Sequence, residues 1–169
     1  MILKDRPRVI FLDFDGVVIK SNEIKDRAFE NVLDCFLYAE SDSTRRHALE
    51  FHYAHNALTR QEKFSYVVRQ ILSLDDDQLI ESMIRFFGEL TRAALLSCPY
   101  VEGAQCFLEY WHQRSPLYLV SATPTVDLEH TVCGRGLQKF FTKVIGAGQS
   151  KATEMLSVID ATGVDFELS

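Results

Sequence analysis

Between Asn22 and Cys98 the chain contains no proline, Gly88 is its only glycine, and apolar residues recur at helical spacing. That one segment excludes an all-β protein. Ala28, Val32, Cys35 and Phe36 form one stripe, and Phe64, Val67, Val68, Ile71 and Leu72 form a second. Leu79, Ile80, Met83, Phe86, Phe87 and Leu90 form a third. Apolar side chains three and four positions apart line one side of a helix, and each stripe needs another helix to cover it. Ser41-Asp42-Ser43-Thr44 and Asp75-Asp76-Asp77 interrupt the pattern with residues that cap helix N-termini. About four mutually packed helices are predicted, with Tyr66 and Phe86 at core positions.

The flanks read differently. Val9-Ile10-Phe11-Leu12 is a short unbroken apolar run, ended by Asp13-Phe14-Asp15-Gly16. Such a run suits a strand covered on both faces of a parallel sheet. After Cys98-Pro99, a helix is predicted over 102–114 and a second strand over Leu117-Tyr118-Leu119-Val120, ending at Ser121-Ala122-Thr123-Pro124. A helix over 125–134, a third strand over 143–146 and a last helix over 150–162 complete the pattern. Alternating strands and helices imply an α/β fold with a parallel sheet and right-handed crossovers. The chain thus divides into an α/β core, 1–21 with 99–169, and an inserted α-helical cap, 22–98.

Composition narrows the function classes. With 47% hydrophobic residues, 8 Gly and 4 Pro, the 169 residues are not a disordered chain. The 24 acidic against 18 basic side chains argue against a nucleic-acid partner, which calls for clustered Lys and Arg. Cys35, Cys98, Cys106 and Cys133 lack paired spacing and read as small buried hydrophobes in a reducing compartment. The charged stretch Met1 to Arg8 lacks the apolar region of a signal peptide. No apolar run reaches the roughly 18 residues that span a bilayer. A cytoplasmic protein without a membrane partner is expected. His47, His52 and His55 read as helix-surface residues rather than a metal cluster, and His112 and His130 likewise read as surface residues.

In an open α/β sheet the ligand site lies beyond the carboxyl ends of the strands. Here those ends deliver Asp13 with Asp15, Ser121 with Thr123, and the loop leading to Lys151. Two carboxylates so close repel one another unless a cation offsets them, which suggests a Mg²⁺ site or an acid/base pair. Gly16 lets the backbone turn sharply and offers amide N–H groups to an anion. A hydroxyl at Ser121 suits a phosphoryl oxygen, and Lys151 suits the charge of a transferring phosphoryl group. Taken singly, each has a plainer reading as an acidic turn, a helix cap or a solvated lysine. Their order along consecutive strand ends points to phosphoryl transfer with an aspartate nucleophile.

Asp13-Phe14-Asp15-Gly16-Val17, Leu119-Val120-Ser121-Ala122-Thr123 and Gly148-Gln149-Ser150-Lys151 resemble the first three motifs of the haloacid dehalogenase-like hydrolase superfamily. The helical insertion after the first motif resembles the cap of its phosphoglycolate phosphatase and β-phosphoglucomutase-like branch. The resemblance implies a Rossmann-like core and assigns roles. Asp13 would attack phosphorus. Asp15 would protonate the leaving oxygen and then activate water, while its main-chain carbonyl helps Asp13 hold Mg²⁺. Ser121 and the Ala122 amide would bind the phosphoryl group beside Gly16, and Lys151 would balance charge. An acid at Asp15 favours a phosphatase or mutase over a dehalogenase, because halide leaves without a proton. Lys20 departs from the aspartate that relatives commonly carry there, although Ser21 fits. Leu58-Thr59-Arg60-Gln61-Glu62-Lys63-Phe64 resembles the cap segment where mutase-like members place an arginine on the substrate. Arg60 and Lys63 are therefore candidates for substrate contact, with a helix start carrying solvated charges as the alternative.

The superfamily's fourth motif, a further strand ending in paired aspartates, has no counterpart before Ser169. Asp160, Asp165 and Glu167 follow no buried apolar strand and are not assigned that role. The core is therefore expected to be incomplete at its C-terminal side, leaving Val9 to Leu12 as a sheet edge open to self-association. The function expected is a Mg²⁺-dependent phosphatase acting on a small phosphorylated metabolite through an aspartyl-phosphate. A phosphomutase is the enzymatic alternative, and a catalytically silent binding module is the alternative from another class. An Asp-x-Asp sugar transferase is disfavoured by the placement of Ser121 and Lys151.

Overall fold

The apolar run at 9–12 forms strand β1 (Ile10–Leu12), and Asn22 opens the helical segment. A computed structural model describes residues 6–147 and 151–162, with the side chains of 151, 152, 154 and 162 outside the description. Four α-helices follow β1, namely α1 (Asn22–Phe36), α2 (Asp42–Ala54), α3 (Arg60–Tyr66) and α4 (Asp77–Ser97). A π-helical segment, Val67–Ile71, prolongs α3. The chain then runs through α5 (Ala104–Trp111), β2 (Leu117–Pro124), α6 (Thr125–Gly134), β3 (Lys143–Ala147) and α7 (Lys151–Thr162). Two compact units result, Met1–Lys20 with Cys98–Ser169 and Ser21–Ser97.

In the α/β unit the three strands form one parallel sheet in the order β1-β2-β3. Ile10 pairs with Leu117 and Leu12 with Leu119, while Leu119 pairs with Val144 and Val120 with Ile145. Leu117, Leu119, Val120 and Ile145 are buried, as suits a sheet with crossover helices on its faces. Strand β2 runs four residues past the apolar run, with a register irregularity between Val120 and Pro124. Gly146 makes room for this. A Cβ there would lie 2.6 Å from the Thr125 nitrogen and 2.8 Å from the Thr123 carbonyl oxygen, so the close approach of β3 requires glycine. Among the described residues, β1 has β2 as its one strand neighbour and stands at the sheet edge.

In the helical unit, Ala28, Phe29, Val32, Leu33, Phe64, Val67, Val68, Ile80, Met83 and Phe87 make one core. Phe29 and Phe64 stack with centroids 4.9 Å apart. The helix starts use the residues the sequence offered. The Ser41 hydroxyl accepts from the Thr44 N–H at 3.2 Å, and Asp76 Oδ1 accepts from the Leu79 N–H at 2.9 Å. Thr59 and Glu62 form a reciprocal capping box at the start of α3. Two expectations fail. Cys35 is exposed, as are Cys106 and Cys133, so Cys98 is the one buried thiol of the four. A position three residues past Val32 drifts round the helix towards solvent, and Phe36 takes the inward place. His52 is only 4% exposed rather than on the surface, because α2 turns it towards Phe29, whose ring it stacks on at 4.0 Å. His47, His55 and His130 are exposed, His112 is half-buried, and Tyr66 and Phe86 are half-buried. No helix among the described residues is long and apolar enough to cross a membrane.

Candidate active site

The end of β1 turns at once. Phe14 is 1% exposed and anchors the segment, while Asp13 is exposed and Asp15 half-buried. Gly16 takes φ +73°, a left-handed conformation that favours glycine. The Gly16 N–H donates to the Ile19 carbonyl at 2.9 Å, and the Val18 N–H donates to the Phe14 carbonyl at 2.9 Å. The turn therefore closes on itself. The reading of Gly16 as an anion donor is corrected on this point, since its own amide is committed within the loop.

Asp13 is exposed, and its Oδ1 accepts from the Phe14 N–H at 2.8 Å. Asp15 is half-buried and meets the second strand end. Its Oδ2 accepts from Ser121 Oγ at 3.1 Å and from Thr123 Oγ1 at 3.1 Å. Ser121 Oγ in turn accepts from the Thr123 N–H at 3.1 Å, which fixes the hydroxyl's direction. Ser121 is only 1% exposed, while Ala122 and Thr123 are half-buried. A carboxylate receiving two hydroxyl protons is held in one rotamer at the mouth of the sheet. Thr123 thereby takes a larger part than its place in the strand-end tetrapeptide suggested. Its alternation with Ser121 on an extended strand, both side chains on one face, was the available signal.

Asp13, Asp15, Ser121, Ala122 and Gly16 are thus brought to one end of the β1–β2 pair. Lys151 begins α7, and its side chain lies outside the described residues, as do Gly148, Gln149 and Ser150. Arg60 and Lys63 belong to the helical unit. Arg60 opens α3 with its guanidinium 5.6 Å from the centre of the Phe87 ring. Lys63 is 7% exposed, and its Nζ donates to His52 Nδ1 at 3.0 Å and to the His52 carbonyl at 3.3 Å. A solvated Lys63 is excluded. Among the described residues no group of three or more His, Cys, Asp or Glu could hold a metal ion. The protein's share of a Mg²⁺ shell would come from oxygens of Asp13 and Asp15, of the hard type that ion takes.

No protein-family profile and no curated protein sequence matches this chain. Solved structures do. A haloacid dehalogenase-like hydrolase from Bacteroides fragilis superposes with a TM-score of 0.69 at 15% identity, covering 94% of this chain and 74% of that one. CbbY from Rhodobacter sphaeroides, solved with xylulose-1,5-bisphosphate, gives a TM-score of 0.65 at 15% identity over 90% and 72%. YfnB from Bacillus subtilis, a HAD-hydrolase solved with magnesium, gives 0.59 at 13% identity over 85% and 66%. The chain has the haloacid dehalogenase-like fold. The helical unit, Ser21–Ser97, interrupts the α/β unit in sequence after the turn that carries Asp13 and Asp15.

Proposed function

We propose that this haloacid dehalogenase-like protein is a phosphoric monoester hydrolase acting on a small phosphorylated metabolite. The observation that carries the reading is the convergence of Ser121 and Thr123 on the Asp15 carboxylate at the same strand ends as Asp13. Asp13, exposed on a turn, is the nucleophile: its carboxylate oxygen bonds to phosphorus while the bond to the ester oxygen breaks. Asp15 gives its proton to that oxygen as the alcohol leaves. Water then attacks the aspartyl-phosphate, Asp15 takes the water's proton, and inorganic phosphate is released with Asp13 restored. Ser121 and Thr123 aim Asp15; on substrate binding Ser121 turns its hydroxyl from Asp15 to a phosphoryl oxygen, beside the Ala122 amide. Lys151, at the first position of α7, is assigned the cation that balances the phosphoryl charge. Bound Mg²⁺, held by Asp13 and the Asp15 main chain, would supply charge stabilisation at the transferring group. Arg60 is assigned to the remote part of the substrate. The bisphosphate held by CbbY and the magnesium held by YfnB support this chemistry.

The test is a panel of phosphate esters assayed in Mg²⁺ with the native protein and Asp13→Asn. Removing the nucleophile is expected to lower kcat by a factor on the order of 10⁴ to 10⁶. Phosphate release untouched by Asp13→Asn would exclude the mechanism.

A further inference from the structure

The helical unit buries an ionic chain that the proposed hydrolysis does not use. Asp26 on α1 has Oδ1 2.9 Å from Nε2 of His52 on α2. Nδ1 of the same imidazole lies 3.0 Å from Nζ of Lys63 on α3, which also reaches the His52 carbonyl at 3.3 Å. His52 and Lys63 are 4% and 7% exposed, and the imidazole stacks on Phe29. Three helices thus meet through one hydrogen-bonded row of side chains.

Hydrogen-bond chemistry fixes its protonation. An ammonium has only donors, so Nδ1 of His52 must be the acceptor and Nε2 must carry the hydrogen that goes to Asp26. The row reads cation, neutral imidazole, anion. A second proton on the ring would remove the acceptor for Lys63 and set two cations 3.0 Å apart. We propose that the Asp26–His52–Lys63 row is a protonation-sensitive lock on α1, α2 and α3, closed while the imidazole is neutral and opened when it takes a proton.

The surrounding groups favour the neutral ring. Burial first, then the Lys63 charge, hold His52 below its ordinary value, against the raising influence of Asp26 and Glu30. Burial also lowers Lys63, with Asp26 opposing and Lys25 reinforcing the effect. From α2 itself, Tyr53 donates to Glu30 at 2.6 Å, occupying that carboxylate. The π-helical segment packs apolar Val67 and Val68 into this core, and its Arg69 pairs with Asp75 and Asp77 instead. A histidine whose folded-state pKa lies below its unfolded value binds the extra proton in the unfolded state. The stability tied to it is therefore fully present above about pH 6.5 and is lost as pH falls towards the folded-state value.

The lock is independent of the hydrolase reading and is tested on the full chain. In wild-type protein the unfolding equilibrium constant, from denaturant titrations between pH 7.5 and 5, should rise by up to about tenfold per pH unit below about pH 6.5. His52→Gln keeps a donor for Asp26 and an acceptor for Lys63 but takes no proton, and should flatten this excess slope. The other four of the five histidines are common to both proteins. Imidazole nitrogen shifts of the wild type give a second reading that needs no variant. The proposal requires the Nε2–H tautomer at neutral pH and titration below about pH 6.5. An Nδ1–H tautomer, titration at or above that value, or an unchanged slope in a folded His52→Gln protein would overturn it.

Discussion

The two units handle buried polar atoms in opposite ways. The α/β unit gathers Asp15, Ser121 and Thr123 at the ends of strands, in hydroxyl-to-carboxylate bonds at the margin of solvent. The helical unit draws a lysine and a histidine in among phenylalanine rings and ties them to a carboxylate at the margin of its core. In the first, the polar groups stay at the strand ends, with Asp13 exposed and Asp15 and Thr123 half-buried. In the second, their pairing joins helices, and leaving one partner of such a buried row alone is strongly destabilising. The same hydrogen-bond types therefore stand at the margin of solvent in one unit and within the helix packing in the other.

That contrast is open to direct attack. The largest expected effect after loss of Asp13 is in the α/β unit. Asp15→Asn keeps the shape that meets Ser121 and Thr123 but has no proton to give, and kcat for phosphate release should fall about 10²- to 10⁴-fold with an unchanged thermal melt. A melt that falls as far as the activity would mean that Asp15 is architectural too. Next, Phe64→Ala removes a ring packed on Phe29 and Phe87 and should cost about 3–5 kcal/mol. Hydrogen exchange should show that loss in α1, α3 and α4, while the β2 amides keep their protection. Equal loss in both units would erase the distinction between them. The smallest effect lies after the π-helical segment, where Ser73 adopts φ +56°. Ser73→Gly relieves a left-handed serine and should raise the helical unit's stability by up to about 1 kcal/mol, read from denaturant midpoints.

Much of this was legible beforehand. The run Val9 to Leu12 and the turn after it are local in sequence, and they suffice to put Asp13 and Asp15 at a strand end. The stripes at Phe64–Leu72 and Leu79–Leu90 and the caps at Ser41 and Asp76 depend on neighbours three or four residues away, and they fell where the periodicity put them. The failures share a cause as well. Cys35 sits at the rim of a stripe, where a helical pattern alone does not separate core from surface. His52 has the spacing of a surface residue but is turned inward by Phe29 on another helix. Lys63 looks like a solvated charge until α2 supplies its two acceptors. Gly16 is legible as a turn, but the Ile19 carbonyl that takes its N–H is fixed only by the closed loop.

By itself, then, the sequence determined where strands and helices alternate and which long segment is helical throughout. Each depends on local periodicity and turn chemistry. Tertiary structure alone decided that Ser121 and Thr123 meet Asp15, that β3 can approach only at Gly146, and that Lys63 and Asp26 bracket one buried imidazole. Those pairings join groups from separate elements, up to 108 residues apart. Their geometry is set by the packing of whole elements, which no local pattern encodes.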